Sequence, residues 1–87
     1  MSWSPQAIRD LFGIQRYIGL NSPLAAQRVA VRLQAAGDSL GLMPERGRPA
    51  SGGAREVTVI YPYVIRYRAE PKLVRILRIK HGAQRPG

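Results

Sequence analysis

A glutamate, several closely spaced arginines and the only histidine stand together as candidates in the C-terminal part of this 87-residue chain. Glu56, Arg66, Arg68, Arg78 and His81 are the residue types that cleavage of an RNA backbone by its own 2′-hydroxyl would use. They could supply a base for the hydroxyl proton, positive charge for the pentacoordinate phosphate, and an acid for the leaving oxygen. An imidazole with an ordinary pKa of about 6.5 suits either proton-transfer role. A plainer reading uses the same residues: Glu56 pairs with a neighbouring arginine, and His81 ends a strand with a backbone hydrogen bond. A third needs no bond chemistry at all. Arg66, Arg68, Arg78, Lys80 and His81 would then form a basic binding face, since the planar arginine fork pairs bidentately with phosphates and carboxylates.

The composition supports an acidic or polyanionic partner. Fourteen Lys plus Arg stand against five Asp plus Glu, a formal net charge of +9, and twelve of the fourteen are arginine. With 45% of residues apolar the chain is globular, and its length implies one domain over residues 1–87, with a single core of two packed layers. Cysteine is absent, and one histidine cannot build a zinc centre, so neither disulfides nor a structural metal is expected, and no cofactor. The N-terminus MSWSPQAIRD is no leader, and nowhere do about 18 apolar residues run together. No membrane association and a cytoplasmic location are the expectation.

The elements that must position these residues are legible in outline. Ser4-Pro5 and Ser22-Pro23 each place a capping hydroxyl before the ring that tolerates the first helical position. Asp10 suits the positive early turns of the first helix. There Ile8, Leu11, Ile14 or Gln15, and Ile18 recur at helical spacing, with Phe12 and Tyr17 widening the apolar face; Gly13 weakens the helix. In the second, Ala26, Val29, Leu33, Ala36 and Leu40 form the core stripe. The short connection predicts an antiparallel hairpin with Arg9, Arg16, Arg28 and Arg32 on its outer faces. Residues 42–54 read as a loop. Val57 and Val59, then Tyr63, Ile65 and Tyr67, then Leu73 to Ile79 read as a three-strand antiparallel meander, turning at Tyr61-Pro62 and Glu70-Pro71-Lys72. Arg75 and Arg78 fall on opposite sides of the last strand. The tyrosines 61, 63 and 67 read as structural, and Trp3 as a cap on the interface of sheet and helices.

The order of elements carries particular words: W-S-P-x-A from Trp3, D-L-x-x-I-x-x-Y-I from Asp10, and S-P-x-A-A from Ser22. P-x-x-G-R-P follows from Pro44, then R-E-V from Arg55, Y-P-Y-V-I-x-Y-R from Tyr61 and I-L-R-I-x-H-G-A-Q from Ile76. Together they resemble the RelE/ParE toxin superfamily of type II toxin-antitoxin modules, and its ParE side more than its RelE side. The resemblance implies an α+β fold of order β-α-α-β-β-β, with a two-helix hairpin packed on a small antiparallel sheet. Its first strand is either very short here or cut by a late start.

The resemblance further implies a toxin neutralised by an acidic, ParD-like antitoxin in a hetero-oligomer, with Arg9, Arg16, Arg28 and Arg32 offered to that partner. ParE members inhibit DNA gyrase, whereas RelE members cut messenger RNA on the ribosome. The words around His81 match the non-nuclease branch, and the tail lacks the aromatic and basic residues that nucleases often place after it. Gyrase inhibition without catalysis is therefore the expectation, with ribosome-dependent mRNA cleavage second and a non-toxic nucleic-acid-binding module third.

Overall fold

Ser4 ties the first helix to the sheet. In the computed structural model, which describes residues 2–82, its hydroxyl accepts the Ala7 N–H at 3.0 Å and donates to the Leu77 carbonyl at 2.8 Å. One side chain thus caps helix α1 (Pro5–Gly19) and fixes it to a strand more than seventy residues away. Ser22 caps helix α2 (Pro23–Ser39) through the Ala25 N–H at 3.2 Å. Both helices begin where the Ser-Pro pairs predict. They form a hairpin closed at one end by Gly19 against Ala26 and at the other by Trp3 on Gly37. A Cβ at Gly37 would lie 2.6 Å from the Trp3 ring, so only glycine lets the indole close this interface.

Five strands follow the order β1-β5-β4-β3-β2: β1 (Ser2–Trp3), β2 (Arg48–Pro49), β3 (Arg55–Ile60), β4 (Tyr63–Glu70) and β5 (Leu73–His81). β3, β4 and β5 are the expected meander. The sheet is mixed, however, because β1 pairs parallel with β5, Ser2 opposite Arg75 and Trp3 opposite Ile76. Parallel neighbours need a long connection, and the hairpin together with β2, β3 and β4 supplies it. β2 and a single 3-10 turn at Ser51–Gly53 give shape to the segment that reads as a loop. Ala83 and Gln84, which end the last sequence word, lie outside the described residues.

Alternation along β4 buries Tyr63, Ile65 and Tyr67 and turns Val64, Arg66 and Arg68 away from the helices. Ile65 and Tyr67 pack with Leu33, Leu40, Ile76 and Ala7 in the core. On β5 the expected sidedness fails. Tyr67 faces Ile76 while Arg66 faces Arg78, so Leu77 is an extra residue, and this bulge brings Arg75 and Arg78 onto one face, opposite Arg68 and Arg66.

Two further expectations change, on α1 and at Tyr61. The buried face of α1 centres on Ala7, with Leu11, Ile14 and Ile18 packed against the core, while Phe12 and Tyr17 stand exposed instead of widening it. Tyr61 is exposed at the β3–β4 turn. Gly13 sits mid-helix, where it is worth about 0.5–1 kcal/mol less than alanine.

Tyr67 is fully buried, and its hydroxyl accepts the Gly47 N–H at 2.7 Å and donates to the Pro44 carbonyl at 2.8 Å. It therefore anchors the 44–47 connector on the core. Tyr67→Phe strands a buried backbone donor and should lower the unfolding free energy by about 1–3 kcal/mol. Urea denaturation measures this, and an unchanged midpoint would show that the connector needs no anchor.

Candidate functional site

The face of the sheet turned away from the helices collects the charged candidates. Cross-strand partners share a face, so Glu56 lies beside Arg66, and Arg66 beside Arg78. Glu56 accepts from Arg66 Nη1 at 3.1 Å and sits 3.8 Å from Lys80 Nζ. Arg48 faces Glu56 from β2. These residues, with Ser51, Val64, His81 and Gly82, border a cleft of about 380 Å³. Glu56 is thus the single carboxylate among cations, paired with an arginine as the plainer reading expects.

Arg66 and Arg68 have a second task. Arg66 Nη2 donates to the Ser51 carbonyl at 2.7 Å and to its hydroxyl at 3.3 Å, and Arg68 Nη2 donates to the Gly52 carbonyl at 2.8 Å. The two side chains pin the Ser51–Gly53 turn, whose backbone enters the left-handed region at Gly52 and Gly53. The guanidinium hydrogens that would grip a phosphate are here turned inward, onto the oxygens of a tight turn.

Arg78 leaves this face altogether. Its guanidinium reaches around the sheet edge to Asp10 on α1, Nε to Oδ2 at 2.8 Å and Nη2 to Oδ1 at 3.2 Å. The hydrogen bond to Asp10, and then its negative charge, raise the Arg78 pKa above its ordinary value. Asp10 Oδ2 also accepts the Ile79 N–H at 2.9 Å. Beyond the two residues paired with β1, the edge of β5 is therefore capped by a carboxylate standing where a strand carbonyl would be. Asp10 lies beyond the first turn of α1, so its task is this tie and not complementing the helix dipole.

His81 is on the other side. It is the cross-strand partner of Tyr63, their rings meeting edge to face with centroids 5.6 Å apart. It follows Ile79 on the helix-facing side, whereas Lys80 projects with Glu56. At the end of β5, His81 borders both this side and the cleft that holds Glu56. A second cleft, of about 590 Å³, opens between α1 and β5, walled by Arg9, Asp10, Gly13, Tyr17, Tyr63 and His81 among others. Arg9, Arg16, Arg28 and Arg32 are exposed as expected, and none is ion-paired among the described residues. No cluster of three metal-ligating His, Cys, Asp or Glu side chains occurs among the described residues.

The family model describing the ParE toxin of the type II toxin-antitoxin system parDE matches residues 1–86. This chain belongs to the ParE toxin family. Toxin RelE2 of Caulobacter vibrioides is 54% identical over 82 residues, spanning 94% of this chain and 93% of that protein. Toxin RelE1 of the same organism is 37% identical over 84 residues, spanning 93% and 90% respectively. A solved chain from the chromosomal ParDE system of P. aeruginosa shares the fold, with a TM-score of 0.79 at 28% identity, covering 93% of this chain and 95% of that one.

In this toxin, then, the sequence candidates divide three ways. Glu56, Arg66 and Lys80 come together; Arg68 and Arg78 are engaged with other parts of the chain; His81 packs on Tyr63 and borders both clefts. Sequence reasoning missed Arg48 and the role of Asp10. A proline-flanked arginine in a connector and an acid among helical residues carry no signal of their own. Among the described residues, no helix is long and apolar enough to cross a membrane.

Asp10 carries more than its ion pair, which is half exposed at Arg78 and so contributes under about 1 kcal/mol. Asp10→Ala should therefore destabilise more than Arg78→Ala, by roughly 1–2 kcal/mol, because it also strips the Ile79 N–H of its acceptor. Equal losses in chemical denaturation would show that capping the edge contributes nothing.

Proposed function

We propose that the toxin inhibits DNA gyrase by binding, without catalysis, and that an acidic, ParD-like antitoxin holds it inactive by covering the helix hairpin. The observation that carries the non-catalytic reading is that the cleavage set is engaged within the chain: Glu56 pairs with Arg66, and Arg66 and Arg68 hold the Ser51–Gly53 turn. A base must reach the proton it takes from hydrogen-bonding distance, and Glu56 is instead paired with Arg66 and close to Lys80. Arg78, a further member of the cleavage set, is held by Asp10. Resemblance to the ParE branch supplies gyrase as the target. The target face is proposed to be the sheet surface of Arg66, Arg68 and Lys80 with the β5 end at Arg78 and His81.

The antitoxin surface rests on the outer side of the hairpin. Ile8, Phe12 and Val31 are 41%, 63% and 60% exposed and border one groove of about 500 Å³ between the helices, with Gln27 and Gln34 on its α2 wall. Exposed apolar side chains along such a groove fit the apolar face of a partner helix. The unpaired Arg9, Arg16, Arg28 and Arg32 on the same helices favour a partner rich in carboxylates. Phe12→Asp should weaken antitoxin binding at least about tenfold, as loss of a central aromatic anchor does. Titration calorimetry measures it, and unchanged affinity would place the antitoxin elsewhere.

The RelE names of the relatives favour a second reading, ribosome-dependent cleavage of messenger RNA. What is damaged separates the two. A gyrase inhibitor expressed alone should stop growth, induce the DNA-damage response and block supercoiling by purified gyrase, while leaving messenger intact on stalled ribosomes. His81→Ala should then change toxicity only mildly. A folded, antitoxin-binding His81→Ala toxin that has lost about 10²- to 10⁴-fold in activity, with A-site cleavage by the parent, would move the assignment to the ribonuclease. No growth arrest at all would leave the third reading, a basic nucleic-acid-binding module without toxicity.

A further inference from the structure

Building on the antitoxin reading, we propose that Gly13 is a saddle over which an extended acidic segment of the antitoxin crosses α1, passing from the helical groove into the cleft beside β5. Three other glycines answer to the toxin itself. A Cβ at Gly37, Gly47 or Gly82 would lie 2.6, 2.7 or 2.8 Å from the toxin's own atoms. At Gly13 a Cβ would meet nothing within 4 Å. The fold neither needs a bare backbone here nor gains from one, since glycine weakens a helix interior. A requirement for close approach at this position comes from outside the chain.

The surface around Gly13 shows where such an approach leads. The interhelical groove shares Phe12 and Gln15 with a shelf of about 570 Å³ on α1. That shelf shares Arg9 and Gly13 with the α1–β5 cleft. The three depressions share lining residues in sequence and make one furrow that passes over the helix at Gly13, its one interior position without a side chain. Its course bends across the helix cylinder, which an extended chain can follow and a straight helix cannot.

Charge selects the occupant. Arg9 and Arg16 stand one turn to either side of Gly13, exposed and without ion pairs among the described residues. The nearby carboxylate, Asp10, is already engaged by Arg78 and the Ile79 N–H. Carboxylates on the crossing segment therefore meet unsatisfied cations. Beyond the saddle the cleft runs to Lys80 and His81, which also border the Glu56 cluster on the outer face. A segment that crosses at Gly13 reaches the end of the proposed target face, so one chain both grips the hairpin and covers the site of action.

The test compares wild type, Gly13→Ala and Gly13→Leu, each purified and titrated with the antitoxin chain encoded beside the toxin. Both variants should melt above wild type and bind the antitoxin more weakly, Gly13→Leu by at least about tenfold. Hydrogen exchange should show antitoxin protecting residues 79–82 in wild type, with that protection lost in Gly13→Leu while protection around Val31 persists. Unchanged affinity and intact protection at 79–82 in Gly13→Leu would overturn the crossing and leave the antitoxin reading standing. So would wild-type protection confined to the helices, or a Gly13→Ala toxin that melts below wild type. Wild-type toxin that fails to bind the antitoxin would remove both.

Discussion

The burial of one face of β4 and β5 under a single helical layer is the constraint on which the rest depends. Ile65, Tyr67, Ile76 and Ile79 turn inward against Ala7, Leu33, Ala36 and Leu40, and in a chain of this size no other core exists to compensate. Because strand side chains alternate, every inward residue fixes the outward position of its neighbours. Arg66, Arg68 and Lys80 face solvent because Ile65, Tyr67 and Ile79 cannot. The same rule sets His81 beside Tyr63. The placing of the charged residues thus follows from packing.

A strongly basic chain must also dispose of its own repulsion, and much of the arginine does so by internal work. Arg55 donates to the Gly47 carbonyl at 2.8 Å, Arg66 and Arg68 hold the Ser51–Gly53 turn, and Arg78 is locked to Asp10. With only five acids in the sequence, carbonyl oxygens take the place of carboxylates as acceptors. The effect is a division of labour: sheet arginines organise connectors and an exposed edge, whereas helix arginines are left to solvent. Attraction for an acidic partner is accordingly concentrated on the hairpin, where the exposed apolar groove lies.

Much of the fold was legible because it rests on local signals. Ser-Pro pairs fix both helix starts, the Ala26–Val29–Leu33–Ala36–Leu40 stripe is the buried face of α2, and the meander follows from two-residue alternation. What stayed hidden was non-local. The bulge at Leu77 realigns Arg75 and Arg78 without any glycine or proline to announce it. The parallel pairing of β1 depends on where a distant strand ends up. On α1 the periodicity was right, but the axis of the buried face was rotated: Ala7, too small to weigh in a hydrophobic pattern, is completely buried while Phe12 faces outward. In the site, residue types were readable and their grouping was not, since sidedness after a bulge and a helix-to-strand ion pair such as Asp10–Arg78 require the assembled sheet.

Those hidden features bear on the proposed reading, a toxin that acts by binding and is held by an antitoxin. An inhibitor that works by binding needs a rigid surface more than a tuned pKa, and the pinned arginines provide rigidity: each fork loses its rotamer freedom during folding, not on meeting the target. Pinning also limits what the target face can offer, because a guanidinium that already donates to a turn carbonyl has fewer hydrogens to spare. Lys80 is held less tightly, 3.8 Å from a carboxylate shared with Arg66, and keeps its charge available at the end of β5. That position is within reach of a chain leaving the hairpin over α1. Restraint therefore does not require the antitoxin to mask the whole basic sheet. Covering its most available cation, from an anchor on the helices where apolar burial supplies the affinity, is the smaller task.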